Sequence, residues 1–236
     1  MMKSIKAPSR FTPRTTAVAV LSLVLGCGGL PTQAASSVHS VGHRASGLKH
    51  LLAVEDATEA IAEGETTFSM AVMNARKAVS LWPTVRVTFR QNGATATQIV
   101  AVDGAIAALH HDLDSGRALT RDANEVTGAL APLFKIAGDN VPAEIHHLDY
   151  LGRSIALDAR GGDWARAQRD AHLLQSRWTV VRHNVAARHG GGAAADEFDR
   201  ATRAVISAVE AHSETKTLSA TIKIGAAVDT VETTYG

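Results

Sequence analysis

The sequence predicts an all-α protein of about eight helices, arranged as two tandem, internally duplicated, up-and-down four-helix units with antiparallel neighbours and short loops. Three observations carry this reading. Apolar residues recur at three- and four-residue steps through nearly every segment, which lays an apolar seam along one side of a helix. Convincing period-2 alternation, the mark of a half-buried strand, is lacking. Finally, Trp82-x-x-Val85-Arg86 returns 96 positions later as Trp178-x-x-Val181-Arg182.

Taken in chain order, residues 1–27 read as an export signal. Lys3, Lys6, Arg10 and Arg14 form a basic, acid-free start, followed by an apolar run from Ala17 to Leu25. A basic start is retained on the cytoplasmic side, and roughly 7–15 apolar residues suit the core of a signal peptide. The run is shorter than the ~20 residues a bilayer-spanning helix requires. Val24-Leu25-Gly26-Cys27 resembles a bacterial lipobox, in which a small residue precedes the cysteine that becomes lipidated. Cys27 is thus the expected lipidation site and membrane anchor. Leu25 departs from the usual lipobox residue, and Pro31-Thr32-Gln33-Ala34-Ala35 offers an alternative cleavage after Ala34 or Ala35. Gly28, Gly29 and the Ser/Ala-rich stretch that follows predict a flexible tether over 28–45. The implied location is extracytoplasmic: a periplasmic, outer-membrane or cell-surface lipoprotein of a bacterium.

Because Cys27 is the single cysteine, the folded part can form neither a disulfide nor a thiolate metal site. Without the four basic residues of the leader, the 24 Lys and Arg fall to 20 against 23 Asp and Glu, a net charge of −3. No basic stripe or aromatic platform points to nucleic acid.

The remaining chain divides into four-helix units over 46–139 and 140–236. In the first, seams run through Phe68, Val72, Ala75, Val79 and Trp82, then Ile99, Val102, Ile106, Leu109 and Leu113, then Leu119, Ala123, Val126, Leu130 and Leu133. In the second they run through Ala167, Ala171, Leu174, Trp178, Val181 and Val185, then Phe198, Thr202, Val205, Val209 and His212. Short glycine-bearing breaks separate them at Gly64, Gly93, Gly116, Gly138, Gly161-Gly162 and Gly190-Gly191-Gly192. Glycine stops one helix and Asp or Ser can cap the next, and short loops imply the up-and-down order of helix bundles. The 96-residue offset also pairs His50 with His146, Leu52 with Leu148, Phe68 with Trp164 and Asp103 with Asp199. Each repeated Trp is expected in a core, with Arg86 or Arg182 reaching solvent or a carboxylate. Pro83 and Pro132 lie inside predicted helices, so a kink or break is expected near Leu81 and a kink in the fourth helix.

Eleven histidines supply the chemistry most worth testing. The best cluster is Glu144-Ile145-His146-His147-Leu148-Asp149-Tyr150, where Glu144/His147 and His146/Asp149 each share a helix face. The second unit has Asp149, Tyr150 and His172 where the first has Ala53, Val54 and Arg76, and an Asp149–His172 hydrogen bond across a helical hairpin is feasible. These six residues, Glu144, His146, His147, Asp149, Tyr150 and His172, are the candidate site for a divalent transition metal or another ligand. A di-iron centre would need a second Glu-x-x-His, which is missing. In helix lengths and short turns, not in motif, each unit resembles the four-helix architecture of cytochrome b562 and cytochrome c′. That resemblance implies haem as a lesser alternative, held without covalent attachment by Met70 or Met73 and a histidine such as His183. No hydrolase motif, Gly-x-Ser-x-Gly or His-Glu-x-x-His, occurs. The expectation is a non-enzymatic protein that binds a ligand, a metal ion or a protein partner.

Overall fold

A computed structural model describes residues 34–64, 67–113 and 119–236, with side chains from 47 onward. The predicted signal peptide, Cys27 and the first part of the tether lie outside the described residues. Among the described residues the chain is all-helical, with eight helices and no strand: α1 (Ala34–Ala62), α2 (Phe68–Gln91), α3 (Ala96–Asp112), α4 (Leu119–Ala137), α5 (Ala143–Arg160), α6 (Trp164–Ala186), α7 (Gly191–Glu210) and α8 (Glu214–Thr233). None of these is long and apolar enough to cross a membrane.

Helix ends follow local chemistry. Thr95 and Gln98 form a reciprocal capping box at the start of α3, and the Asp163 carboxylate accepts from the Arg166 amide to open α6. Gly93 (φ 93°) and Gly138 (φ 81°) end their helices in the left-handed region, where a side chain would be strained. The α7–α8 turn instead uses His212 at φ 48°, its ring stacked on Trp164 at 5.1 Å. Two expectations meet the structure here, the second only in its stronger form. The backbone from 34 to 45, read as a flexible tether, is the first part of α1, and no proline interrupts it. Neither proline breaks its helix, since α2 runs continuously through Pro83 and α4 through Pro132.

The apolar seams close two cores. Leu51, Val85, Phe89, Ile99, Leu130 and Phe134 belong to a cluster supplied by α1 to α4, while Ile145, Leu148, Trp178, Val185, Phe198 and Ile224 belong to one supplied by α5 to α8. Burying each such side chain is worth about 1.5–3 kcal/mol, so the seams are the main reason the helices associate. In the first group α1 packs on α2 and α4, and α3 on α4; in the second α5 packs on α6 and α8, and α7 on both. The groups join chiefly through α4 against α5. Gly128 permits that approach, because a Cβ there would stand 2.7 Å from the Tyr150 ring. Gly152 does the same for α5 and α8, where a Cβ would meet Ile224 at 2.9 Å.

The repeated Trp-x-x-Val-Arg elements make matching contacts. Trp82 Nε1 donates to Asp103 Oδ1 at 2.7 Å and Trp178 Nε1 to Asp199 Oδ1 at 2.6 Å. Arg86 pairs with Asp103 at 3.0 Å and Arg182 with Asp199 at 2.8 Å. Both indoles are buried, and both arginines reach a carboxylate near the surface.

Candidate ligand-binding site

Helix α5 is the axis of the polar chemistry, because it packs against α4 on one side and α6 and α8 on others. It distributes the predicted residues over several environments instead of gathering them. His146 lies at the junction of the two groups. Its Nε2 meets Asp139 Oδ2 at 3.2 Å, its Nδ1 meets Glu55 Oε1 at 3.4 Å, and its ring stacks on Phe134 at 4.0 Å. Burial alone would disfavour the imidazolium, but the hydrogen bonds and charge of Asp139 and Glu55 outweigh it and push the pKa up to about 10. Burial would also raise the Asp139 pKa, yet the bond from His146 and the Val141 amide hold it below the usual value. A charged imidazolium with both nitrogens engaged is an ion-pair member, not a metal ligand.

His147 behaves in the opposite way. Burial and then the nearby Arg177 charge lower its pKa to about 4, so the ring is neutral, and it lies 5.1 Å from the Tyr150 ring. The Tyr150 hydroxyl donates to Glu125 Oε2 at 3.2 Å, and burial followed by the Glu125 charge pushes its pKa up to about 12. Glu144 is half-buried in the first turn of α5 and makes no hydrogen bond to His147. The predicted Asp149–His172 bond is absent: His172 is exposed on α6, and Asp149 accepts from Arg153 one turn along its own helix at 2.5 Å. The six candidates therefore do not form one site. Among the described residues, no group of three or more His, Cys, Asp and Glu side chains is arranged to hold a metal ion. Met70, Met73 and His183 are exposed, and the bundle interiors where a haem would sit are filled by Trp82, Phe89, Trp178 and Phe198.

What the sequence reading missed is Arg153. Its guanidinium is buried between α5, α1 and α4, with its Nε donating to Asn124 Oδ1 at 3.0 Å and its Nη2 to Thr127 Oγ1 at 3.3 Å. Nη1 bonds both Asp149 and Glu59, the latter at 3.0 Å. Burial, followed by the Asp149 charge, holds Glu59 well above the usual carboxylate range despite the opposing pull of Arg153. Glu59 therefore keeps its proton beside a fixed cation.

This network is the floor of a cavity of about 320 Å³ between α1, α5 and α8. Glu59, Asp149 and Arg153 line it together with Glu63, Arg160 and Asp229, and Ala62, Ala156, Leu157, Leu218 and Ala226 give it apolar walls. Six of its fifteen lining residues are charged, so it is more polar than most small-molecule sites, and its polar groups converge on the floor. A larger groove of about 530 Å³ along α7 and α8 is lined by alanines, serines and the exposed Lys216 and Lys223, and it holds no buried charge. Of the residues predicted, Asp149 alone belongs to the cavity. The signal that could have found the rest was present: Glu55 and Glu59 interrupt the apolar face of α1 at a four-residue spacing, as do Asp149 and Arg153 on α5. No protein-family model, no curated protein and no solved structure matches this chain.

Proposed function

We propose that the chain is an exported, lipid-anchored bacterial protein that binds a small polar ligand in the cavity between α1, α5 and α8, without catalysing a reaction. The observation that carries the reading is the half-buried Arg153–Glu59–Asp149 network on the floor of the cavity, whose side chains are 14%, 31% and 21% exposed. Ionic groups drawn partly out of water cost free energy to desolvate, and a hydrophobic replacement of such a pair is often neutral or stabilising. A network kept at such a position fits a binding role better than a purely structural one. Export and anchoring are supported by the basic start, the apolar run and the position of Cys27.

The test is a thermal-shift screen of the full chain with small polar compounds, run in parallel on Gly225→Phe. Gly225 lines the cavity, and a Cβ there meets nothing within 4 Å, so the new ring can occupy the space without displacing the fold. A ligand of this site raises the melting temperature of the wild type in a concentration-dependent way and leaves the filled variant unmoved. Equal shifts in both proteins would overturn the cavity as the binding site. Anchoring is checked by the intact mass of the protein from membranes, with acylation lost in Cys27→Ala.

A second reading, a protein-interaction module without a small ligand, is favoured by one observation. Phe68, Met70 and Met73 are exposed together at the start of α2. The reading would be supported if substituting them with Ser abolished a stable complex while leaving the melting temperature unchanged.

A further inference from the structure

Building on the proposed cavity, we infer that its ligand is an organic cation: an ammonium group carried on a short apolar chain. The chemistry of the floor decides the sign. Arg153 offers an incoming anion little, because four of its five N–H groups already donate: Nε to Asn124, Nη1 to Glu59 and Asp149, and one of the two on Nη2 to Thr127. To grip an anion with more than the one remaining N–H it would have to give up bonds between 2.5 and 3.3 Å long. The lining carries four carboxyl groups, Glu59, Glu63, Asp149 and Asp229, against the two guanidiniums of Arg153 and Arg160. Ionised carboxyl groups accept only, and each has room for several donors. An ammonium is all donor and positively charged, so it complements this surface in both respects.

The charges facing Glu59 support the same class. Glu55 stands near it on α1 and Glu63 just past that helix's end, Asp149 and Arg153 face it from α5, and Asp229 lies on the α8 wall. Crowding and burial make Glu59 keep its proton. A bound ammonium would supply a positive charge in place of that proton, so binding should expel it to solvent. The size of the cavity, about 320 Å³, is at the low end of the ~300–1,000 Å³ typical of small-molecule sites. The apolar walls of Ala62, Ala156, Leu157 and Leu218 suit a short methylene chain rather than a sugar or a bare ion.

The inference is tested by isothermal titration of the full chain in mild detergent. The probes are 1,4-diaminobutane, succinate and 1,4-butanediol, which place a cation, an anion and a neutral polar group on the same four carbons, and magnesium chloride. The expected result is that the diamine binds at least about tenfold more tightly than the other three, with binding lost in Gly225→Phe and weakened about tenfold or more in Glu59→Gln. Its apparent enthalpy should also differ between phosphate and Tris buffers, as proton release requires. If succinate or butanediol binds in a Gly225→Phe-sensitive manner and the diamine does not, the ligand class is wrong and the cavity reading stands. If magnesium binds as tightly as the diamine, the inference is likewise overturned in favour of an inorganic cation. If no probe gives a heat that the filled cavity abolishes, the cation inference fails, and the screen above then decides the cavity reading independently.

Discussion

The two Trp–Asp–Arg corners and the faces on which the four-helix groups meet differ in kind. At the corners, α2 with α3 and α6 with α7 make the same contacts with the same residue types, 21 positions from Trp to Asp in each case. On the meeting faces, α1 and α5 diverge. At the 96-residue offset Glu55 and Glu59 of α1 correspond to Leu151 and Ile155 of α5, while Asp149 and Arg153 of α5 correspond to Ala53 and Ala57 of α1. Charges on one helix thus stand where the other has apolar residues, and those charges meet each other: Arg153 with Glu59, His146 with Glu55. Surfaces that only close a core carry matching residues here, whereas the surfaces that pair with each other carry complementary ones.

The largest effect should come from breaking the divergent face. Arg153 has only 14% of its side chain exposed, and Arg153→Met would leave Glu59, Asp149 and Asn124 without their shared donor. Stability in urea should fall by about 3–5 kcal/mol, the usual cost of removing one partner from a buried ionic network. A loss below about 1 kcal/mol would show that the network is not what joins the groups.

The second test is pH. His146 has a folded pKa raised above its ordinary 6.5 to about 10, so its contribution is complete below 6.5 and disappears as pH rises through about 10. Urea denaturation from pH 7 to 10 should show stability falling by something on the order of 3 kcal/mol more in the wild type than in His146→Gln. Asp139 acts on the other side: its lowered pKa gives stability that is lost only in acid, as pH falls below its ordinary 3.8. Parallel profiles for wild type and variant would remove His146 as the clasp between the groups.

The corners should respond more weakly and equally. Trp82→Phe and Trp178→Phe each delete an indole donor and part of a buried ring, for an expected loss of about 1–2 kcal/mol apiece. A difference much above 1 kcal/mol between them would mean that matching contacts do not carry matching energies. Smallest of all, Arg86→Gln and Arg182→Gln touch pairs whose arginines have 40% and 42% of their side chains exposed, and urea denaturation should show each costing less than the Trp changes, and less still at high salt.

The seams of Trp82, Val102, Leu130, Trp178 and Val205 were legible in the sequence because helical burial has a local period that one chain displays by itself. Glycine at Gly93 and Gly138 was legible for the same reason, since the stop is a property of one residue's backbone. The Trp-to-carboxylate contacts were half visible: the offset paired Asp103 with Asp199, and the expectation that each arginine reaches solvent or a carboxylate allowed for them. The site was not. Glu144, His146, His147, Asp149, Tyr150 and His172 share a short stretch and a feasible hairpin, yet α5 turns about 100° per residue and sends neighbouring side chains to different partners. His146 goes to Asp139 and Glu55, Tyr150 to Glu125, and Asp149 to Arg153, while His172 remains in solvent on α6.

By itself, then, the sequence determined helix, turn and which face of each helix is apolar, since those depend on residues within a few positions of one another. Only the tertiary structure decided that charged side chains of α1 reach those of α5. Arg153 and Glu59 are 94 positions apart, and their meeting depends on the packing angle and rotation of two whole helices. Burial acts at that meeting too, because a carboxyl group has no reason to hold its proton until other elements strip it of water and set a second carboxyl beside it.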